Sequence, residues 1–155
     1  MNVLWAGSDN PEINQKLGNW CAAHIGLPRP FEPPYSTMGV FDGETLIGVI
    51  LYNNYQPEAG VVEIHGAATD KRWLNRKTLW EMFSFPFLRL GCQLVVMRVS
   101  ERNEQWNGRG LPRLLKAYGF KAYPIPRLRG RDEGEIIYTL ADDVWRENGF
   151  HKEIR

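Results

Sequence analysis

Glu63 and His65 stand two residues apart in the run Val61–Thr69, VVEIHGAAT. Val62 and Ile64 alternate with them, so an extended chain puts the carboxylate and the imidazole on one face and the aliphatic side chains on the other. A carboxylate beside an imidazole can take a proton from an amine, directly or through one water. Each alone also reads as structural, Glu63 in an ion pair and His65 as a hydrogen-bonded core histidine. A basic turn follows, Arg72-Trp73-Leu74-Asn75-Arg76-Lys77-Thr78. Cations at a helix start oppose the helix dipole, and an anion bound between them removes the conflict.

The elements that would position these groups follow from periodicity and turn residues. Asn2–Trp5 reads as a first strand. Asp9-Asn10-Pro11 opens a helix, carried by Ile13, Leu17, Trp20, Cys21 and His24 at helical spacing and ended by Gly26. Prolines 28, 30, 33 and 34 make an extended loop flanked by Phe31 and Tyr35. Thr37–Phe41 and Thr45–Asn53 form a hairpin around Asp42-Gly43, and Leu46–Asn53 pairs onward with Val61–Thr69. Trp73 to Leu90 reads as one long helix kinked at Pro86. Gln93–Val99 is a continuously apolar strand, the mark of a buried position. Leu111–Tyr118 is a helix ended by Gly119. Phe120–Ile125 and Glu135–Leu140 are strands around the basic loop Pro126–Gly134, and Asp142–Asn148 is a terminal helical turn. The crossover from Val61 to Val99 must be parallel, whereas the hairpins are antiparallel. The expected fold is α/β, a mixed and mostly antiparallel central sheet with helices on both faces.

The 155 residues amount to one domain, expected to span 1–155. Hydrophobic residues make up 43% and charged residues 24%, which argues against disorder. No apolar run approaches the ~18 residues of a membrane span. The start, Met-Asn-Val-Leu-Trp, lacks the basic flank of a signal peptide. Cys21 and Cys92 have no nearby His or Cys partner, which excludes a disulfide framework and a zinc knuckle, and no metal is expected. Together these point to a cytoplasmic protein without membrane partners. Net charge is +1. Between Arg102 and Arg131 stand eight basic residues and one acid, Glu104. This run suits a local anionic ligand, or else a solvated face paired with Asp132, Glu133 and Glu135.

The order of elements resembles the GNAT acyltransferase superfamily. The resemblance rests on the hairpin Gly39–Tyr52, on the strand, basic turn and helix of Glu63–Phe87, and on Val95-Val96-Met97-Arg98-Val99-Ser100 with Asn103. Lys116-Ala117-Tyr118-Gly119-Phe120 then matches the family's most recognisable ending. It covers roughly Val40 to Leu140. The flavour is that of the ribosomal-alanine-acetyltransferase-like subgroup, and similar proteins occur in phage and prophage genomes.

The resemblance implies an N-acetyltransferase that moves an acetyl group directly from acetyl-CoA to an amine acceptor, a small molecule or a protein N-terminus or lysine. It implies a pantetheine arm lying between Glu63–Ala68 and Leu94–Ser100, where the family's fourth and fifth strands splay. Cofactor contacts would come from Ala67, Ala68, Thr69, Arg72, Asn75, Arg76, Lys77, Thr78 and Asn103. Catalytic roles would fall to Glu63, His65 and Ser100, and neither cysteine is required.

Two departures bear on this. The family's phosphate turn reads Arg/Gln-x-x-Gly-x-Gly/Ala, but here it has no glycine to let backbone approach a phosphate. Leu115 occupies the position of the family's common general-acid tyrosine, with Tyr118 turned elsewhere on the helix. Asn107 rivals Asn103, because Gly108-Arg109-Gly110 lengthens the segment. Trp80, Trp106, Tyr52, Tyr55, Phe31 and Tyr35 are candidates for an acceptor groove, and Arg127, Arg129 and Arg131 lie on one side if their loop is extended. A catalytically silent binding or assembly module of the same fold, phage-related by its resemblance, is the alternative. A nucleic-acid contact protein fits less well, given the near-neutral charge.

Overall fold

A computed structural model describes residues 1–102 and 110–147. Seven strands form one sheet: β1 Asn2–Ala6, β2 Ser36–Asp42, β3 Thr45–Gln56, β4 Val61–Ala68, β5 Leu94–Ser100, β6 Lys121–Ile125 and β7 Glu135–Ala141. Their order is β1-β2-β3-β4-β5-β7-β6, antiparallel throughout except for the parallel pair β4–β5. The helices are α1 Pro11–Ile25, α2 Arg76–Ser84, α3 Gly110–Tyr118 and α4 Asp142–Glu147. The mixed α/β, mostly antiparallel sheet read from the sequence is the one found.

Alternation along the strands separates two cores. On one face Leu17 and Cys21 of α1 meet Val49, Leu51 and Ala67. On the other, Ile50, Tyr52, Val62, Ile64, Val95 and Met97 pack with Leu79 and Phe83 of α2, Leu115 of α3 and Trp145 of α4. Helices therefore cover both faces, but α1 covers only the β1–β4 half of its side. Burial pushes the Cys21 thiol up to about 12, and both cysteines are free and buried.

Turn residues sit where the sequence places them. Gly43 closes the β2–β3 turn at φ 61°, and Gly26 ends α1 at φ 89°. The Asn10 side chain caps no helix N–H. It accepts from the Gly7 N–H at 2.8 Å instead.

The long helix expected over Trp73 to Leu90 is corrected. Lys71–Trp73 forms a 3₁₀ turn, α2 begins only at Arg76, and Phe85–Arg89 is a π-helical turn around Pro86. Asn75 sets the start. Its Oδ1 accepts from the Thr78 N–H at 3.0 Å, and Thr78 Oγ1 accepts from the Asn75 N–H at 2.8 Å. This reciprocal box satisfies two of the donors left without a ladder partner where helical bonding begins. Replacing Asn75 with Ala should lower unfolding stability by about 1 kcal/mol, read as a lower urea midpoint at unchanged slope.

Candidate functional site

β4 and β5 pair at three positions only, Val61↔Leu94, Val62↔Val95 and Glu63↔Val96. Beyond Glu63, β4 stays registered on β3 through Ala68↔Gly48, and β5 stays on β7 through Ser100↔Glu135. The strands therefore part, and the facing edges of Ile64–Ala68 and Met97–Ser100 lack a ladder partner. A cavity of about 610 Å³ opens in this fork on the α1 side, reaching the C-terminal end of α1 and Phe31. This is where the family resemblance implied a splay.

Glu63 and His65 share the cavity face as the alternation requires. Nε2 of His65 lies 2.9 Å from Asn53 Oδ1 and 3.5 Å from Glu63 Oε2. Both neighbours of that nitrogen are acceptors, so the neutral ring carries its proton on Nε2 and its lone pair on Nδ1. Phe31 packs against the ring with centroids 4.8 Å apart. Asn53 reaches the pair because it stands opposite Glu63 on β3, just before a register shift in which Asn54 takes φ 50°. Such a bulge re-aims side chains, and asparagine tolerates the left-handed region. The hydrogen bond from His65 holds the Glu63 carboxyl below its ordinary value against the opposing effect of burial, with smaller help from Asn54 and Arg98.

A chain of alternating charge runs on from there. Arg98 Nη1 lies 3.9 Å from Glu63 Oε1, and its Nη2 lies 2.8 Å from Glu135 Oε2. Arg129 Nε donates to Glu135 Oε1 at 3.0 Å. Glu135 is 3% exposed, so both of its oxygens are occupied by guanidinium groups in a nearly dry setting. Ser100 also lines the cavity, but its hydroxyl donates to Glu133 Oε2 at 2.5 Å and accepts from the Arg102 N–H at 3.1 Å. These contacts fasten the β6–β7 loop to the end of β5.

The turn after β4 lies apart from this cluster. Arg76 and Lys77 are exposed on the first turn of α2. Arg72 is committed elsewhere, at 2.6 Å from Asp70 and 2.9 Å from Asp42, and it pulls the Asp70 carboxyl down to about 2. Asn75 and Thr78 spend their side chains on the helix cap. Ala67 is buried against α1, and the Thr69 N–H donates to the Ile47 carbonyl at 2.9 Å. Asn103, Asn107 and Trp106 lie outside the described residues.

Of the proposed groove aromatics among the described residues, only Phe31 lines the cavity. Tyr52 is buried on the opposite face and donates to the Met82 carbonyl at 2.6 Å. Trp80 stacks on Trp145, and Tyr55 donates to the Leu90 carbonyl. Tyr35 fills the space beside Gly18. Tyr118 is buried with its hydroxyl accepting from Trp145 Nε1 at 3.0 Å, and burial pushes it up to about 12. The segment holding Arg127, Arg129 and Arg131 is a run of turns with Arg127 at φ 67°, so the three do not share one side as an extended strand would arrange them. The sequence reading missed Asn53, Asn54 and Arg98, whereas Glu135 does pair with the basic run as one of its expected acids. Arg98 carried a usable signal, a lone charge inside an apolar strand.

No family model matches the sequence, and no curated protein matches it. Solved structures do. A point variant of spermidine N-acetyltransferase SpeG from Vibrio cholerae superposes with TM-score 0.67 at 11% identity, covering 95% of this chain and 98% of that one. A chain from T. thermophilus, assigned provisionally as an acetyltransferase, gives TM-score 0.61 at 18% identity over 85% of this chain and 68% of its own. The fold is therefore the GNAT acetyltransferase fold. Among the described residues no cluster of three or more His, Cys, Asp or Glu is placed to hold a metal ion, and no helix is long and apolar enough to cross a membrane.

The lowered Glu63 carboxyl fixes the sign of a pH effect. The wild type should exceed Glu63→Gln in stability above the ordinary carboxylate pKa of about 4.3. That advantage should vanish as pH falls through the lower folded-state value, in paired denaturation curves taken across the acid range.

Proposed function

We propose that the protein is an acetyl-CoA-dependent N-acetyltransferase, with the open seam between β4 and β5 as the observation that carries the reading. Unpaired strand edges offer the pantetheine amides the partners that an added strand would find. The exposed first turn of α2 offers the N–H groups and side chains of Arg76 and Lys77 to the pyrophosphate. Ala67, Ala68 and Thr69 line the approach between the two by backbone. Acetyl-CoA bound there would supply an activated acyl carbon to the amine and would leave as the CoA thiolate, protonated by solvent.

The chain's own residues handle the proton. Nδ1 of His65 holds the free lone pair and takes the proton of the amine. The ring is then cationic, and Glu63 stands 3.5 Å from its Nε2 to balance the charge. Asn53 fixes the ring so that Nδ1 is the basic atom. Glu63 itself stays ionised, which makes it the stabiliser rather than the base. Neither cysteine lines the cavity, in keeping with direct transfer to the amine. Ser100 and the Arg102 N–H shape the cavity end. A cytoplasmic setting fits this chemistry.

A silent binding module of the same fold is the second reading. It is favoured by the glycine-free turn and by the commitment of Arg72, Asn75 and Thr78 to internal contacts. Release of free thiol from acetyl-CoA across a panel of primary amines separates the two. The N-acetyltransferase reading expects turnover, with His65→Gln slower by about 10²–10⁴-fold in kcat. Wild-type protein that releases no thiol above the uncatalysed rate decides for the silent module.

A further inference from the structure

We propose that the amine acceptor also carries an anionic group, a carboxylate or a phosphate monoester, which Arg129 and Arg98 bind in the β4–β5 cavity. This rests on the acetyl-transfer reading for the amine and on the cavity itself for the anion. Three guanidinium groups line the cavity, those of Arg98, Arg102 and Arg129, against two carboxylates, Glu63 and Glu135.

The pairing is uneven. Arg98 lies within reach of both carboxylates. Arg102 turns away, donating to the Asp132 carbonyl at 2.6 Å and lying 3.6 Å from Glu133. Arg129 uses only Nε, toward Glu135, and among the described residues its two terminal nitrogens have no partner. Arg98 and Arg129 share the buried Glu135 and Arg98 also faces Glu63, so these four charges balance, and what stays open at the cavity wall is the pair of unfilled planar donors on Arg129. Glu135 has already fixed both side chains, so little rotamer freedom remains to be lost when a ligand binds. Planar paired donors of this kind suit carboxylate and phosphate oxygens.

The same arrangement disfavours a polycation. Both cavity carboxylates already face Arg98, so a polyamine would find no carboxylate there free to pair with its charges. This separates the chain from the spermidine acceptor for which its fold neighbour is named. The acceptor is therefore zwitterionic, with its amine at His65 and its anion at Arg129.

The test is calorimetry at low salt, with and without CoA, on matched ligands: glycine against glycinamide, phosphoethanolamine against ethanolamine, and spermidine. The anionic member of at least one pair should bind tighter by about tenfold or more, the change expected for one charge-assisted hydrogen bond. The pair that shows this tells carboxylate from phosphate. Arg129→Gln should bring the anionic ligand down to its neutral analogue and leave the analogue unchanged. Arg129→Lys should keep part of the preference, and thermal melts of both variants report whether they fold. Equal affinities within both pairs, tighter spermidine, selectivity that survives in a folded Arg129→Gln, or no binding by any ligand would each overturn the proposal. Selective anion binding without thiol release would keep the anion site and remove the transferase reading.

Discussion

β4 and β5 run side by side for three residue pairs and then diverge, because each strand is held more firmly by its other neighbour. β4 is registered on β3 along most of its length, and β5 is matched to β7 at all seven positions. The sheet therefore behaves as two paired units joined at one short parallel seam. Parallel strands cannot be tied by a hairpin, so the crossover through α2 leaves the far ends of β4 and β5 free to separate. Everything attributed to the site depends on that separation. It opens the cavity and exposes two strand edges, and it turns Glu63 and His65 toward Arg98 and Ser100 across the gap.

An exposed strand edge is ordinarily a hazard, since it invites pairing with another chain. Here the edges face each other across a cleft bordered by charged side chains. Those charges are not a loose surface array. Glu135 sits nearly dry between Arg98 and Arg129, where removing either partner would leave part of a buried charge uncompensated. The same ion pairs hold the β6–β7 loop against the end of β5, with Ser100–Glu133 and Arg102–Asp132 beside them. One set of interactions thus shapes the cavity wall and gives it its electrostatic character. Within the basic run between Arg102 and Arg131, Arg102 and Arg129 meet two of the acids that follow it, Glu133 and Glu135, and Arg129 does so through Nε alone.

The fold was largely legible because its signals are local. Pro11, Gly26, Gly43 and Gly119 mark element ends through backbone constraints that need no tertiary context. Alternation in Val61–Thr69 placed Glu63 and His65 together on one face. The start of α2 was misread because apolar spacing runs on through Trp73 and Leu74, whereas the Asn75–Thr78 box decides where helical bonding begins. Asn53 was out of reach because its role depends on a bulge and on the register across a hairpin. Glu135 lies 37 positions from Arg98 in the chain, and its acid looked like one of several balancing charges. The site was thus half visible: Glu63 and His65 could be read as neighbours on one face, and the groups packed around them could not.

If the proposed acetyl transfer is right, the parted edges of β4 and β5 receive the pantetheine arm. Hydrogen–deuterium exchange followed by mass spectrometry, with and without CoA, tests it most directly. CoA should slow exchange in peptides covering 64–68 and 97–100, with a second protected patch at the first turn of α2. Protection confined to other parts of the chain, or no change at saturating CoA, would contradict it.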